Sequence, residues 1–267
     1  MGNMGAGGDK AYDRPPVRRT VFTVYVKPFD IDLGVITELR NKWAPTYPGF
    51  RQSPPRHRRS PLVSSSDLLA MSWPMPASEL ADNSLSRTLS FQFDQFSLMW
   101  TFDAEGDNRS YPGYSNLADE LIERFSEFVA VVDASSDSTV AVEGCQCFYT
   151  NSLDGIGGQK WLSSFLSGNG AALDVLDGAV HFGFRLARED EVDGTKRAVN
   201  LQMDSGTEQP PEVDILVAAV PAEGANDLPT DATGLARCLL DAAHALENQT
   251  FESSFDDEMK AVWRGSS

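Results

Sequence analysis

Hydrophobic and polar residues alternate most densely between Arg87 and Phe102. Leu89, Phe91 and Phe93 interleave with Thr88, Ser90 and Gln92. After Asp94 and Gln95 the alternation resumes with Phe96, Leu98, Trp100 and Phe102. Period-two alternation sends one set of side chains to each face of a strand. With Asp94-Gln95 as a two-residue turn, Phe93 faces Phe96, Phe91 faces Leu98 and Leu89 faces Trp100. Aromatic side chains bury roughly 150–250 Å² each, so the pattern predicts a hairpin lying on a core.

The same reading places other elements along the chain. PPVRRTVFTVYVKPF is a strand, with Val21, Thr23 and Tyr25 alternating with Phe22, Val24 and Val26. Asp30 or Asp32 caps a helix with Val35, Ile36, Leu39 and Trp43 as its apolar stripe. Tyr111-Pro112-Gly113-Tyr114 marks a turn before the clearest helix, in which Leu117, Leu121, Ile122, Phe125, Phe128, Val129 and Val132 recur at helical spacing. A strand follows over Thr139–Thr150, then a short helix from Trp161 to Leu166. Three more strands are expected over Ala179–Ala187, Arg197–Met203 and Glu212–Pro221, joined by polar loops. A last long helix, capped by Asp231 or Thr233, carries Leu235, Leu239, Ala242 and Leu246. The chain then turns after Asn248 into a short acidic helix.

This order predicts an α+β fold: antiparallel sheet with helices packed on one face. The two halves share a plan, consistent with a duplicated β-α-β-β-α unit and a half boundary near residue 135. Residues 1–14 read as a flexible Gly-rich tail and residues 15–267 as a single domain. The Pro/Arg/Ser-rich stretch 46–70 lacks periodicity and reads as a loop.

Charge sharpens the picture. The 267-residue chain carries a formal charge of −17, unevenly spread. Residues 1–61 hold 11 Lys/Arg against 5 Asp/Glu, and the rest hold 11 against 34. The acidic part repels nucleic acid and suits a soluble protein or a binder of a basic partner. No apolar run reaches the ~18–20 residues of a membrane span. The N-terminus lacks a signal-peptide core, so a cytoplasmic protein with no membrane association is expected.

Candidate chemistry is sparse. The 3 cysteines make no disulfide framework. Cys145 and Cys147 share one face of a strand as small apolar side chains. With 3 histidines and no metal-ligand spacing, no metal or cofactor is implied. Gly155-Ile156-Gly157-Gly158-Gln159-Lys160 departs from a phosphate-binding loop, because Trp161 stands where Ser or Thr is needed. His57, His181 and His244 sit in no nucleophile motif and read as surface or packing residues. No catalytic residue is assigned. The candidates for partner binding are a basic cluster, Arg51, Arg56, Arg58 and Arg59 around His57, and the aromatics Trp73, Tyr111 and Tyr114.

The chain also resembles a sporadically distributed prokaryotic family of roughly 250-residue proteins of unknown function. The resemblance is carried by the Pro-Pro before the first strand, the aromatic hairpin ending FSLMW, YPGYSNLADELIERFSEF, and LLDAAHALENQTFESSFDDEMKAVW. The positions that match are Pro15, Pro16, Trp100, Tyr111, Pro112, Phe125, His244 and Phe251. The resemblance spans nearly the whole chain and departs from it in the Gly-rich tail and the Pro/Arg-rich loop. It implies a cytosolic bacterial protein and no catalytic residues. The family's patchy distribution implies toxin–antitoxin or anti-phage defence loci. Three readings stand at this point. The first is a non-enzymatic binding or regulatory protein with a basic, toxin-like protein partner. The second is a nucleic-acid contact through Arg51–Arg59. The third is an enzyme with a carboxylate-based site.

Overall fold

The computed structural model describes residues 12, 15–65, 76–103, 110–135, 139–166, 182–205 and 211–264. Of the N-terminal tail, Tyr12 alone falls among them; Trp73 and His181 lie outside the described residues.

Among the described residues, nine strands form one antiparallel sheet. They are β1 (Val17–Val26), β2 (Gly49–Ser53), β3 (Ala77–Ala81), β4 (Arg87–Gln92), β5 (Gln95–Thr101), β6 (Val142–Ser152), β7 (Phe182–Val192), β8 (Thr195–Ser205) and β9 (Glu212–Pro221). Their order is β2-β3-β4-β5-β1-β6-β9-β8-β7. Five helices accompany them among the described residues: α1 (Leu33–Trp43), α2 (Tyr114–Ser135), α3 (Gly158–Leu166), α4 (Ala232–Ser254) and α5 (Asp257–Trp263). The fold is α+β with helices packed on the sheet.

The strand order carries an internal symmetry. β1 opens the first half and lies beside that half's last strand, β5. β6 opens the second half and lies beside its last strand, β9. β1 and β6 run antiparallel to each other at the joint. Each half is thus a strand, a helix, a run of hairpin strands and a long helix, and the first half holds one extra edge strand, β2.

Register explains why the helices share a face. Phe22 lies opposite Leu98 on one side and Cys147 on the other, and Val24 lies opposite Phe96 and Cys145. These side chains therefore point the same way. Above them Trp43 of α1 packs edge-on against Phe91 and Phe96, both at 6.0 Å. Phe125 and Phe128 of α2 approach Phe96 at 5.7 and 5.3 Å. The Cys145 and Cys147 thiols meet the α4 carbonyls of Ala236 and Leu240. α1 begins where Asp32 accepts from the Val35 amide at 2.8 Å, and α4 where Asp231 accepts from Gly234 at 2.7 Å.

Four expectations need correction. The central hairpin turns at Phe93-Asp94, so Phe91 faces Phe96 and Leu89 faces Leu98. The cause is Asp94, whose carboxylate and carbonyl are both held by Arg58. The stretch 46–70 contains β2, and β3 follows it. Both evade the alternation rule because β2 is an exposed edge strand and β3 buries Glu79. β7 and β8 continue through the expected polar loop, since Asp193 and Gly194 take positive φ of 48° and 70° and close a two-residue turn. Finally, α4 does not turn at Asn248 but runs to Ser254, and Asp256 caps α5. Gln249 to Ser254 contain neither Gly nor Pro to stop a helix.

Among the described residues, no helix is long and apolar enough to cross a membrane.

Candidate functional site: an aromatic and acidic cleft

The extended α4 shapes the site. Residues three or four apart share a helix face, so His244, Glu247, Asn248, Phe251 and Glu252 form one stripe. On β6, Tyr149 and Asn151 share the helix-facing side. Gly113, at a φ of 88°, closes the turn that brings Tyr111 and Pro112 over them. Together with Tyr12 and the Pro15-Pro16 segment, these groups enclose a cleft of about 290 Å³.

Its polar groups are connected. Tyr111 Oη donates to Tyr149 Oη at 3.5 Å, and Tyr149 Oη lies 3.3 Å from His244 Nδ1. Glu247 Oε2 is 3.4 Å from that same nitrogen. The His244 ring stacks flat on Tyr114 at 3.6 Å, and Tyr114 Oη donates to Asp241 at 2.6 Å. At the other side Tyr12 Oη donates to Glu252 at 2.8 Å, and Lys260 pairs with Glu252 at 3.1 Å. Burial, then Tyr111 and Glu247, hold the Tyr149 phenol well above its ordinary pKa. Burial, reinforced by Glu252, pushes Tyr12 up to about 12. Both phenols are therefore neutral donors at physiological pH. Asn151 is 1% exposed; its Nδ2 donates to Val213 O at 3.4 Å, while its Oδ1 has no donor among the described residues.

The residues singled out in the sequence separate here. Tyr111 is half-buried and lines the cleft, but Tyr114 is 6% exposed and lies behind His244 as part of the core. His244, read as a packing residue, faces the cleft. Pro15, Pro16, Tyr111, Pro112, His244 and Phe251 all line it. Trp100 supports Tyr111 edge-on at 5.4 Å. Glu247 and Asn151 carried no sequence signal, because a helix register and a strand face had first to be brought together.

No protein-family model, curated protein or solved structure matches this chain.

The basic cluster is a different place. Arg58 is 7% exposed and pairs with Asp94 at 3.0 Å and Glu143 at 2.7 Å, over the Tyr25 ring. Arg51 and Arg56 are exposed, yet both guanidiniums meet the buried Glu79 carboxylate, which also accepts from Ser53. Arg59 and His57 are exposed. Burial alone would raise the Glu79 pKa; hydrogen bonds from Arg51 and Ser53 and the Arg56 charge outweigh it and lower it. A lowered carboxyl pKa stabilises the fold above the unfolded value of ~4.3, and that stability is lost as pH falls through the folded pKa. Glu79→Gln should therefore reduce stability at pH 7 and flatten its decline below about pH 4. Urea midpoints measured from pH 7 to pH 3 check this.

Carboxyls with raised pKa lie on the opposite sheet face from Asn151. Asp214 is raised by burial despite a 2.8 Å bond from Thr150 and the nearby Arg19. Glu212 is raised by burial and by Asp214. The thiols of Cys145 and Cys147 are fully enclosed, and burial pushes both well above the ordinary thiol range. They stay protonated and unreactive.

Proposed function

We propose that this chain is a non-enzymatic binding protein of the regulatory or antitoxin-like kind, acting in the cytoplasm on a basic protein partner. The observation that carries the reading is the cleft, where three tyrosines and two carboxylates converge on an acidic body. Aromatic rings and acids together recognise cationic groups, and a negative surface steers a basic partner toward them. The inert thiols and the cross-linked tyrosine network fit a rigid receptor better than a nucleophilic centre. The three free cysteines fit a reducing compartment. An antitoxin-like role in a defence locus accords with the resemblance and with the charge.

The alternative contact, nucleic acid at Arg51–Arg59, has less support, since Arg51, Arg56 and Arg58 already face carboxylates of this chain.

A photo-crosslinker placed at Asn248, on the cleft wall, tests the proposal in the native host. It should trap a protein of net positive charge, and Tyr111→Ala should abolish the adduct at a temperature where the variant is still folded. No adduct, or one indifferent to Tyr111→Ala, contradicts the reading.

A further inference from the structure

The cleft is small for a cofactor. At about 290 Å³ it falls just below the roughly 300–1,000 Å³ of sites that hold drug-sized ligands. That volume suits one long side chain. Its walls are the rings of Tyr12, Tyr111 and Tyr149, and its acceptors differ in depth. Glu252 is at the rim, where Lys260 already pairs with it and Arg264 stands 6.0 Å from the Tyr12 ring. Glu247 is 5% exposed. Asn151 adds an amide oxygen that is buried and lacks a donor among the described residues. A buried acceptor without a donor has lost its water and gained no partner, so a ligand bringing an N–H to it gains what the free protein forgoes.

We infer that the cleft is a receptor for the guanidinium of an arginine side chain presented by a basic protein partner. The inference deepens the proposed function and rests on it. A guanidinium is planar and carries five N–H donors in a fixed fork. It can lie against a tyrosine face while its edge reaches a carboxylate and an amide oxygen together. The chain uses the same chemistry on itself: Arg18 lies over Phe102 at 4.3 Å and Arg40 over Phe50 at 4.7 Å. Inside the fold, Arg58 satisfies two carboxylates and three carbonyls above Tyr25. An ammonium has a compact charge and no plane to stack, so it matches the aromatic walls less well. His244 sits 3.4 Å from Glu247, so Glu247 is shared between the histidine and the incoming cation.

The test is calorimetric titration with N-acetyl-Gly-Arg-Gly-amide and with the same peptide carrying citrulline or lysine. The arginine peptide should bind saturably, and the neutral citrulline peptide about tenfold more weakly or worse. Glu247→Gln should weaken the arginine peptide by about tenfold. Asn248→Lys, which adds a cation to the wall without touching the core, should abolish binding even if Glu247→Gln fails to fold. Equal binding of arginine and citrulline, tighter binding of lysine, or no binding of any peptide overturns the inference. If the peptides fail while the Asn248 crosslink still depends on Tyr111, the arginine assignment alone falls. If the crosslink is also indifferent, the proposed function falls with it.

Discussion

Arg58→Ala should unfold this protein far more readily than any other arginine substitution, by about 3–5 kcal/mol. All three guanidinium nitrogens are engaged. Nε donates to Asp94 at 3.0 Å, Nη1 to Glu143 at 2.7 Å and to Ser64 O at 3.2 Å, and Nη2 to the carbonyls of Val26 and Asp94. Removing the side chain takes the Arg58 charge from the Asp94 carboxylate, which is 1% exposed and keeps the Gln92 amide as a neutral donor, and leaves three carbonyls short of a donor. The effect is large because a buried carboxylate loses the cation that offsets it, which does not mean that the intact pair contributes that much. Lysine cannot reproduce the fork, so Arg58→Lys should recover less than half of the loss. Equilibrium urea unfolding of both variants measures it. A loss under about 1 kcal/mol, the level of an exposed ion pair, would show that Arg58 is not the clamp described here.

Phe96→Ala should cost a comparable amount, about 3–5 kcal/mol. Phe96 is fully buried and stands where α1, α2 and the sheet meet. Trp43, Phe125 and Phe128 surround it at ring distances of 6.0, 5.7 and 5.3 Å. None of these large rings can collapse into the void without leaving its own contacts, so most of the cavity should persist. Phe96→Leu should lose clearly less, because it keeps most of the volume. Thermal and urea unfolding of the pair give the ratio, and equal losses from both variants would contradict a rigid aromatic junction at this point.

The two sites differ in how far the sequence reveals them. Phe96 is legible: it belongs to an unbroken alternation, and its face follows from period two alone. Its cross-strand partner differs from the one that alternation predicts by a two-residue shift in pairing, because the turn is fixed from outside the hairpin. Asp94 looked like a turn residue by type, yet it is placed by Arg58, which lies 36 residues earlier in a segment with no periodicity. Arg58 itself looked like one member of a surface cluster. Nothing local separates it from Arg56 and Arg59, and only the tertiary position of Tyr25, Asp94 and Glu143 makes it a core residue.

The cleft shows the same limit. Tyr111 and His244 were visible as residues, but their meeting depends on α4 running past Asn248 and on β6 presenting Tyr149 and Asn151 to it. Asn248, Gln249 and Thr250 resemble a turn in sequence, yet the helix runs through them to Ser254. The six extra residues of α4, from Gln249 to Ser254, are what bring Phe251 and Glu252 onto the His244 face. Tyr114 shows the converse: an aromatic beside a Pro-Gly turn has an exposed look in sequence, but its ring supports His244 from within the core.

The central claim is that a cationic side chain is received in this cleft. Aromatic ¹H–¹³C NMR spectra recorded during titration with N-acetyl-Gly-Arg-Gly-amide test it most directly. The account predicts progressive shifts of Tyr12, Tyr111, Tyr149 and His244, with Phe50 and Phe102, each already under an arginine, unmoved. Shifts confined to those two phenylalanines, or an unchanged spectrum at saturating peptide, would contradict it.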